Sequence, residues 1–244
     1  MIKEILSKSN PLIKELAKLK QKKYRQKLGL VLVEGERLIK ELSIRGATFE
    51  YLFFIDDPKV KVGGELVKTN REVLLYLSQT VTTPDIIGVI KWENQAFSLP
   101  QTNFLVLDNI SDPGNLGTLI RSALAFNFKY IYLLNCVDYT SDKVLRSTMG
   151  TVLDVKIVEC DYSDIDKLAS KHTLILADME GKILESYPKS DEKIGIVLGN
   201  EANGVSETLR SKVKNKIAIA MKNNVESLNV AIAGSIIMNY FKGE

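Results

Sequence analysis

Asn10-Pro11 is followed by Leu12, Leu16 and Leu19. An N-cap residue, a proline at the first helical position and an apolar stripe at helical spacing together predict a helix reaching about Lys23. Leu30-Val31-Leu32-Val33 is an unbroken apolar run and predicts a buried strand. Glu34 to Arg45 then reads as a helix with Leu38, Ile39 and Leu42 inward and Gly46 as its terminator. Tyr51 to Ile55 reads as a strand, Asn70 caps a short helix through Ser78, and Ile86 to Lys91 is a strand again. Between Trp92 and Asn103 the period stops in a polar stretch containing Pro100. The chain is expected to divide there, into a mixed α/β unit at residues 1–93, a linker at 94–102 and a second unit at 103–244.

The second unit alternates strand and helix. Strands are expected at Phe104 to Leu107, Tyr130 to Leu134, Val155 to Val158, Leu174 to Ala177, Ile194 to Leu198 and Ile217 to Ile219. Helices are expected near Leu116 to Phe126, Ser141 to Thr148, Ser163 to Ser170, Val205 to Ser211 and Ser227 to Tyr240. Apolar, β-branched strands between helices imply a parallel sheet covered on both faces, whose ligands sit beyond the carboxyl ends of the strands. The last helix is apolar on nearly every side, so it must be buried, against this chain or another.

Composition narrows the chemistry. With 45% hydrophobic residues over 244 positions the chain can bury a real core. No run of about 18 apolar residues and no secretory leader is evident, so a cytoplasmic protein without membrane spans is expected. Cys136 and Cys160 are too few for a disulfide framework and read as reduced thiols. A single histidine, His172, excludes paired-histidine metal sites, and no metal is expected. A Ser-His-Asp hydrolase is excluded as well, for want of a Gly-x-Ser-x-Gly elbow.

Charge is unevenly placed. Through Lys27 nine basic residues face Glu4 and Glu15, giving +7, and the chain's net +3 then leaves −4 for the remainder. Clustered lysine and arginine displace counterions from phosphates, so Lys20, Lys22, Lys23 and Arg25 are candidate nucleic-acid contacts; a solvated helix face is the plainer alternative.

Three segments, each after an expected strand, are unusually rich in Gly, Asn and charge. The first runs from Asp108 to Arg121, and Asp112-Pro113-Gly114-Asn115 within it is a turn signal. Its glycines form neither Gly-x-Gly-x-x-Gly nor a P-loop, which removes the main support for a nucleotide-binding loop. The second is Leu198-Gly199-Asn200-Glu201-Ala202-Asn203-Gly204, whose glycines permit close backbone approach or positive φ. The third runs from Ile219 to Ala231, with Ser227 a natural N-cap for the last helix.

The three segments resemble motifs 1, 2 and 3 of the SpoU/TrmH family of RNA ribose 2′-O-methyltransferases, in the SPOUT superfamily. The resemblance rests on Asn115 with Arg121, on Gly-Asn-Glu through Glu201, and on Glu-Ser-Leu-Asn-Val through Asn229. Residues Asn10 to Leu42, with Leu32-Val33-Glu34-Gly35-Glu36-Arg37, resemble the family's L30e-like substrate-binding domain, which adds Arg37 to the candidate RNA contacts. The resemblance implies a C-terminal parallel-sheet domain tied in a deep trefoil knot behind a smaller L30e-like α/β domain. It also implies S-adenosylmethionine bound in the knot and a homodimer with catalysis at its interface. Carried over position by position, Asn115, Arg121, Glu201, Ser227 and Asn229 are expected around the reacting ribose, and Leu198, Gly199, Ile219, Met221 and Leu228 around the cofactor. One departure is Ala220, where the family usually has proline before the motif 3 methionine. Ribosomal RNA, 23S rRNA in particular, is the expected substrate. The alternatives are a tRNA methyltransferase and an RNA-binding relative without activity.

Overall fold

The computed structural model describes every residue except 1, 81, 83, 190–191, 202, 224–226 and 243–244. Its internal contacts form two compact units, one of residues 1–94 with 140–153 and one of residues 95–139 with 154–244.

In the first unit β1 (Lys3–Glu4) precedes α1 (Pro11–Ala17), which opens at Asn10 with a side-chain cap on the Leu12 amide at 2.9 Å. The single expected helix is interrupted by a 3-10 turn over Lys18–Lys20 before α2 (Lys22–Leu28). Then come β2 (Leu30–Glu34), α3 (Glu36–Ile44), β3 (Phe49–Phe54), β4 (Glu65–Lys68), α4 (Arg71–Leu77) and β5 (Ile86–Lys91), in a sheet ordered β1-β4-β3-β5-β2. Leu16, Leu19, Phe53, Val73, Leu74 and Val89 fill the core under α1 and α4. Glu34 belongs to the end of β2 rather than to a helix. It is buried, and its carboxylate accepts bonds from Ser78 Oγ at 2.7 Å, the Gln79 amide at 2.6 Å and Thr80 Oγ1 at 2.9 Å.

The interruption of the first helix changes one sequence expectation. α2 turns Arg25 inward, where it is 5% exposed and donates from Nε to Thr140 Oγ1 at 2.9 Å and from Nη1 to the Leu19 carbonyl at 2.7 Å. Arg25 is therefore a buried structural residue and not a surface contact. Lys20, Lys23 and Arg37 are exposed, Lys22 is half-buried, and Lys23 Nζ lies 4.9 Å from the Tyr24 ring centroid.

The second unit begins with β6 (Phe104–Asp108), α5 (Pro113–Ala125) and β7 (Tyr130–Leu134). The chain then visits the first unit with α6 (Asp142–Thr148). It returns as β8 (Lys156–Glu159), α7 (Tyr162–Ala169), β9 (Thr173–Ile183), β10 (Ile194–Leu198), α8 (Glu207–Arg210), β11 (Asn215–Ala218) and α9 (Val230–Phe241). Among the described residues the sheet has six strands in the order β11-β9-β10-β6-β7-β8, every pair parallel. Alternation along β6 explains the two-sided cover: Phe104 and Val106 join Tyr132, Ile165, Leu168 and Leu209 under α7 and α8. On the other face α9 lies so close that a Cβ built on Gly234 would stand 2.6 Å from Leu119 and 2.7 Å from Leu198. Ser122 and Ser235 share a hydrogen bond of 2.7 Å between α5 and α9.

His172 stands at the amino end of β9, its ring edge-on to Phe104 at 5.4 Å, and burial lowers its pKa. Burial pushes both thiols, Cys136 and Cys160, up to about 12. They are protonated at neutral pH.

Candidate functional site

At the carboxyl ends of β6, β10 and β11 the three Asn- and Gly-rich segments come together. Asp112 caps α5 by accepting from the Asn115 amide at 2.8 Å, which fixes the backbone from which the Asn115 side chain projects. Asn229, and not Ser227, caps α9: its Oδ1 accepts from the amides of Ala231 and Ile232 at 2.9 and 3.3 Å. That occupation forces the rest of the network. With Oδ1 committed to the helix, Asn229 Nδ2 donates to Asn115 Oδ1 at 2.9 Å, and Asn115 Nδ2 then has to donate, which it does to the Glu201 carboxylate. One hydrogen-bonded line, Asn229 to Asn115 to Glu201, thus joins all three segments. Its end is a carboxylate, an acceptor with lone pairs left for a ligand hydroxyl or a cation.

A buried layer beneath holds this line in place. Asp108 closes β6 with no solvent exposure; its carboxylate accepts from the Ser206 amide at 2.7 Å and from Asn109 Nδ2 at 2.8 Å. Asn200 Nδ2 donates to the Asn109 carbonyl at 3.0 Å, with Asn109 at φ 57°, a left-handed conformation that asparagine tolerates. Asp108 and Asn200 therefore clamp the first loop to the second. Sequence reading passed over both, although a charged residue ending an otherwise apolar strand was the available signal for Asp108.

Beside the line lies a cavity of about 470 Å³. Leu198, Gly199, Ile219, Met221 and Leu228 all line it, as do Ser227 and Glu201. Residues beyond the expected strand at Leu174 to Ala177 were not expected there, yet Asp178 and Glu180 of β9 line the cavity, with Arg210 from α8. Asp178, its side chain 7% exposed, pairs with Arg210 and, at 3.3 Å, with Lys216. Burial raises its pKa, but the Glu180 amide, Lys216 and Arg210 outweigh it and hold the carboxyl below the usual range. The lining combines aliphatic side chains and backbone with the charged side chains of Asp178, Glu180, Glu201 and Arg210. Pockets of this size with few placed polar groups suit a small organic ligand.

Arg121 stands apart. It is exposed on α5, outside the cavity lining and outside the Asn115 line, with no bond to a described residue. Glu226 of the third segment lies outside the described residues.

Comparison with known proteins defines the class first. A two-unit α/β chain with a parallel sheet and polar loops gathered at its carboxyl edge matches the SpoU rRNA Methylase family over residues 102–239, and the chain belongs to that family. The first unit matches the MRM3-like substrate binding domain over residues 10–88. Among similar proteins is the 23S rRNA (guanosine(2553)-2′-O)-methyltransferase RlmP of Bacillus subtilis (strain 168), 27% identical over 250 residues covering 99% of this chain and 100% of that protein. A solved TrmH-family protein, described as a putative RNA methyltransferase of Porphyromonas gingivalis, is 26% identical with a TM-score of 0.84, covering 98% of each chain. The AdoMet-bound rRNA methyltransferase of Sinorhizobium meliloti is 24% identical with a TM-score of 0.84, covering 98% of this chain and 97% of that one, and shows the shared fold.

Proposed function

We propose that this protein is an S-adenosylmethionine-dependent RNA methyltransferase that modifies a ribose 2′-hydroxyl of 23S ribosomal RNA. The line from Asn229 through Asn115 to Glu201, at the rim of a cavity bordered by Gly199, Met221 and Leu228, carries this reading. Full-length similarity to the B. subtilis enzyme supports the choice of ribosomal over transfer RNA.

The cavity fits the cofactor by its chemistry. Its aliphatic side chains suit an adenine ring and its charged ones an amino-acid tail. Bound there, S-adenosylmethionine supplies an electrophilic methyl group. The chain's own contribution is alignment and charge. Asn115 and Glu201 present an amide and a carboxylate at the rim, positioned to hold the ribose hydroxyl in line for displacement. Glu201 can take a hydrogen bond from that hydroxyl, while an RNA phosphate oxygen or water carries the proton away. The guanidinium of Arg121 offers donors and no acceptor, so it is a poor base and a good partner for phosphate and for the developing alkoxide.

In this reading a second copy completes the site and brings Arg121, exposed and outside the cavity lining, to the reacting atoms. α9, beside α5, leaves Ile232 54% and Ile236 39% exposed. A homodimer that covers this face is part of the proposal, as is a trefoil knot in the segment after β10. The end of the chain is tied back through Asn103, which accepts from the Ile194 amide at 3.0 Å and donates to the Phe241 carbonyl at 2.9 Å. A cytoplasmic location is also part of the proposal, and the first unit's exposed Lys20, Lys23 and Arg37, with Lys22, supply phosphate contacts.

Incubation of the purified protein with methyl-labelled S-adenosylmethionine and either 23S rRNA or tRNA tests the reading. Label is expected in 23S rRNA as an alkali-resistant dinucleotide, the mark of a methylated ribose. Label confined to tRNA, or RNA binding with no transfer to either, refutes it in favour of the corresponding alternative.

A further inference from the structure

Arg210 is the last residue of α8 and lines the cavity. Among the described lining residues it is the one cation, in a lining that also holds the carboxylates of Asp178, Glu180 and Glu201. Nη1 donates to Asp178 Oδ2, and both oxygens of Asp178 are otherwise engaged, Oδ2 by Lys216 at 3.3 Å and Oδ1 by the Glu180 amide at 3.0 Å. Most of the acceptor capacity of Asp178 is thereby used within the chain. Arg210 is not saturated: Nε and Nη2 bond to no described residue, and the side chain is 35% exposed. A Cβ built on Gly204 would lie 3.8 Å from Nη2, so the guanidinium stands between Asp178 of β9 and the loop that carries Glu201.

We propose that Arg210, oriented by Asp178, clamps the α-carboxylate of the methionyl part of S-adenosylmethionine. The inference rests on the cofactor reading above and deepens it. The cofactor has one anionic group and the described cavity one cation, and a planar guanidinium pinned at Nη1 presents its remaining donors in the fixed geometry that a carboxylate accepts. The sulfonium and ammonium of the cofactor have no such need, since the lining already offers carboxylates. Asp178 is a positioning residue: it touches no ligand and fixes the plane of one that does. The competing explanation is an ion pair that merely ties α8 to β9.

Calorimetry on the full-length protein separates the two, using S-adenosylmethionine, S-adenosylhomocysteine and decarboxylated S-adenosylmethionine, which lacks only the carboxylate. Wild type is expected to bind decarboxylated S-adenosylmethionine about ten- to hundred-fold more weakly than S-adenosylmethionine, the worth of a charge-assisted bond. Arg210→Gln should weaken both carboxylate-bearing ligands by a similar factor and leave the decarboxylated one within about threefold. Asp178→Asn should give a smaller loss with the same selectivity. Equal weakening of all three ligands, or of none, overturns the proposal, and so does equal wild-type affinity for the two forms, a result that needs no variant to fold. A wild-type protein that binds none of the three instead removes the cofactor reading itself.

Discussion

Replacing Gly199 with alanine tests how the second loop is built. The sequence marks Gly199 as a place where backbone must approach something closely, and the natural candidate is a ligand. In the structure the first obstacle is the loop itself. A Cβ on Gly199 falls under 3.0 Å from the Gly204 carbonyl carbon and the Val205 nitrogen, and backbone atoms cannot swing aside as a side-chain end can. The contact is close because Asn200 and Gly204 pair across the loop, amide to carbonyl at 3.0 and 2.8 Å. Alanine must break that bridge. Two backbone bonds at a net 0.5–1.5 kcal/mol each give a loss of about 1–3 kcal/mol. For a chain of this size that is a fall in Tm of about 2–12 °C. The separated loop also shifts Leu198 and Glu201 at the cavity edge, so S-adenosylmethionine affinity should drop more than about tenfold by calorimetry. Gly204→Ala is the contrasting variant. It meets nothing nearer than Arg210 Nη2 at 3.8 Å and carries only the strain of φ +66°, about 1–2 kcal/mol, so stability should fall with a smaller change in affinity. A Gly199→Ala protein with wild-type Tm and wild-type affinity would refute this account of the loop.

Three further outcomes follow from where the cationic side chains sit. Arg121→Ala should abolish transfer while S-adenosylmethionine affinity stays within a few-fold, since Arg121 lies outside the cavity lining; turnover near wild type would count against its assigned role. Lys20→Glu with Lys23→Glu should lower the slope of log affinity for RNA against log salt by about 0.7–0.9 per lost phosphate contact and leave Tm nearly unchanged. Arg25→Ala should do the reverse, lowering stability by at least about 1.5–3 kcal/mol with the salt slope intact, because it removes buried charge-assisted bonds to Thr140 and Leu19.

Local signals in the sequence proved readable where one side chain settles one hydrogen bond. Asn10 and Asn70 cap the helices they precede, and the apolar strands of the second unit pair in one parallel sheet. What escaped was decided at long range. β4 is four residues, Glu-Leu-Val-Lys, and becomes a strand only because β1 and β3 flank it. β9 runs on to Ile183 through polar Asp178 and Glu180 because β11 pairs with its far end after a register shift. Arg25 lies in a run of lysines that periodicity treats alike; the 3-10 turn at Lys18–Lys20 resets the helix phase and turns this one residue inward. In the site, the family resemblance named Asn115, Glu201 and Asn229 but could not order them. Their order follows from Asn229 capping α9, a demand of the helix and not of the ligand.

The same distinction between local and distant contacts sets where the second unit can be cut free. Residues 94–102 read as linker, yet part of that stretch packs on the second unit. Tyr132 Oη donates to the Ser98 carbonyl at 2.7 Å, Lys156 Nζ reaches Ser98 Oγ at 2.7 Å, and the Phe97 ring lies 5.8 Å from that of Tyr132. Two hydrogen bonds at a net 0.5–1.5 kcal/mol each and an aromatic pair at about 0.5–1.5 kcal/mol amount to roughly 1.5–4.5 kcal/mol, a large share of a typical 5–15 kcal/mol. A fragment starting at Gln95 should therefore melt well above one starting at Gln101. Both fragments lose the first unit, and with it the partners of residues 140–153, where Val144 and Leu145 are buried in the full chain. That excursion should become the first site of proteolytic cleavage in the longer fragment, while the sheet and its cavity persist and S-adenosylmethionine still binds. RNA affinity should fall, since Lys20, Lys23 and Arg37 are gone. Equal melting temperatures for the two fragments would show that Phe97 and Ser98 contribute nothing, and protection of residues 140–153 in the absence of the first unit would show that the excursion is held by the second unit's own contacts.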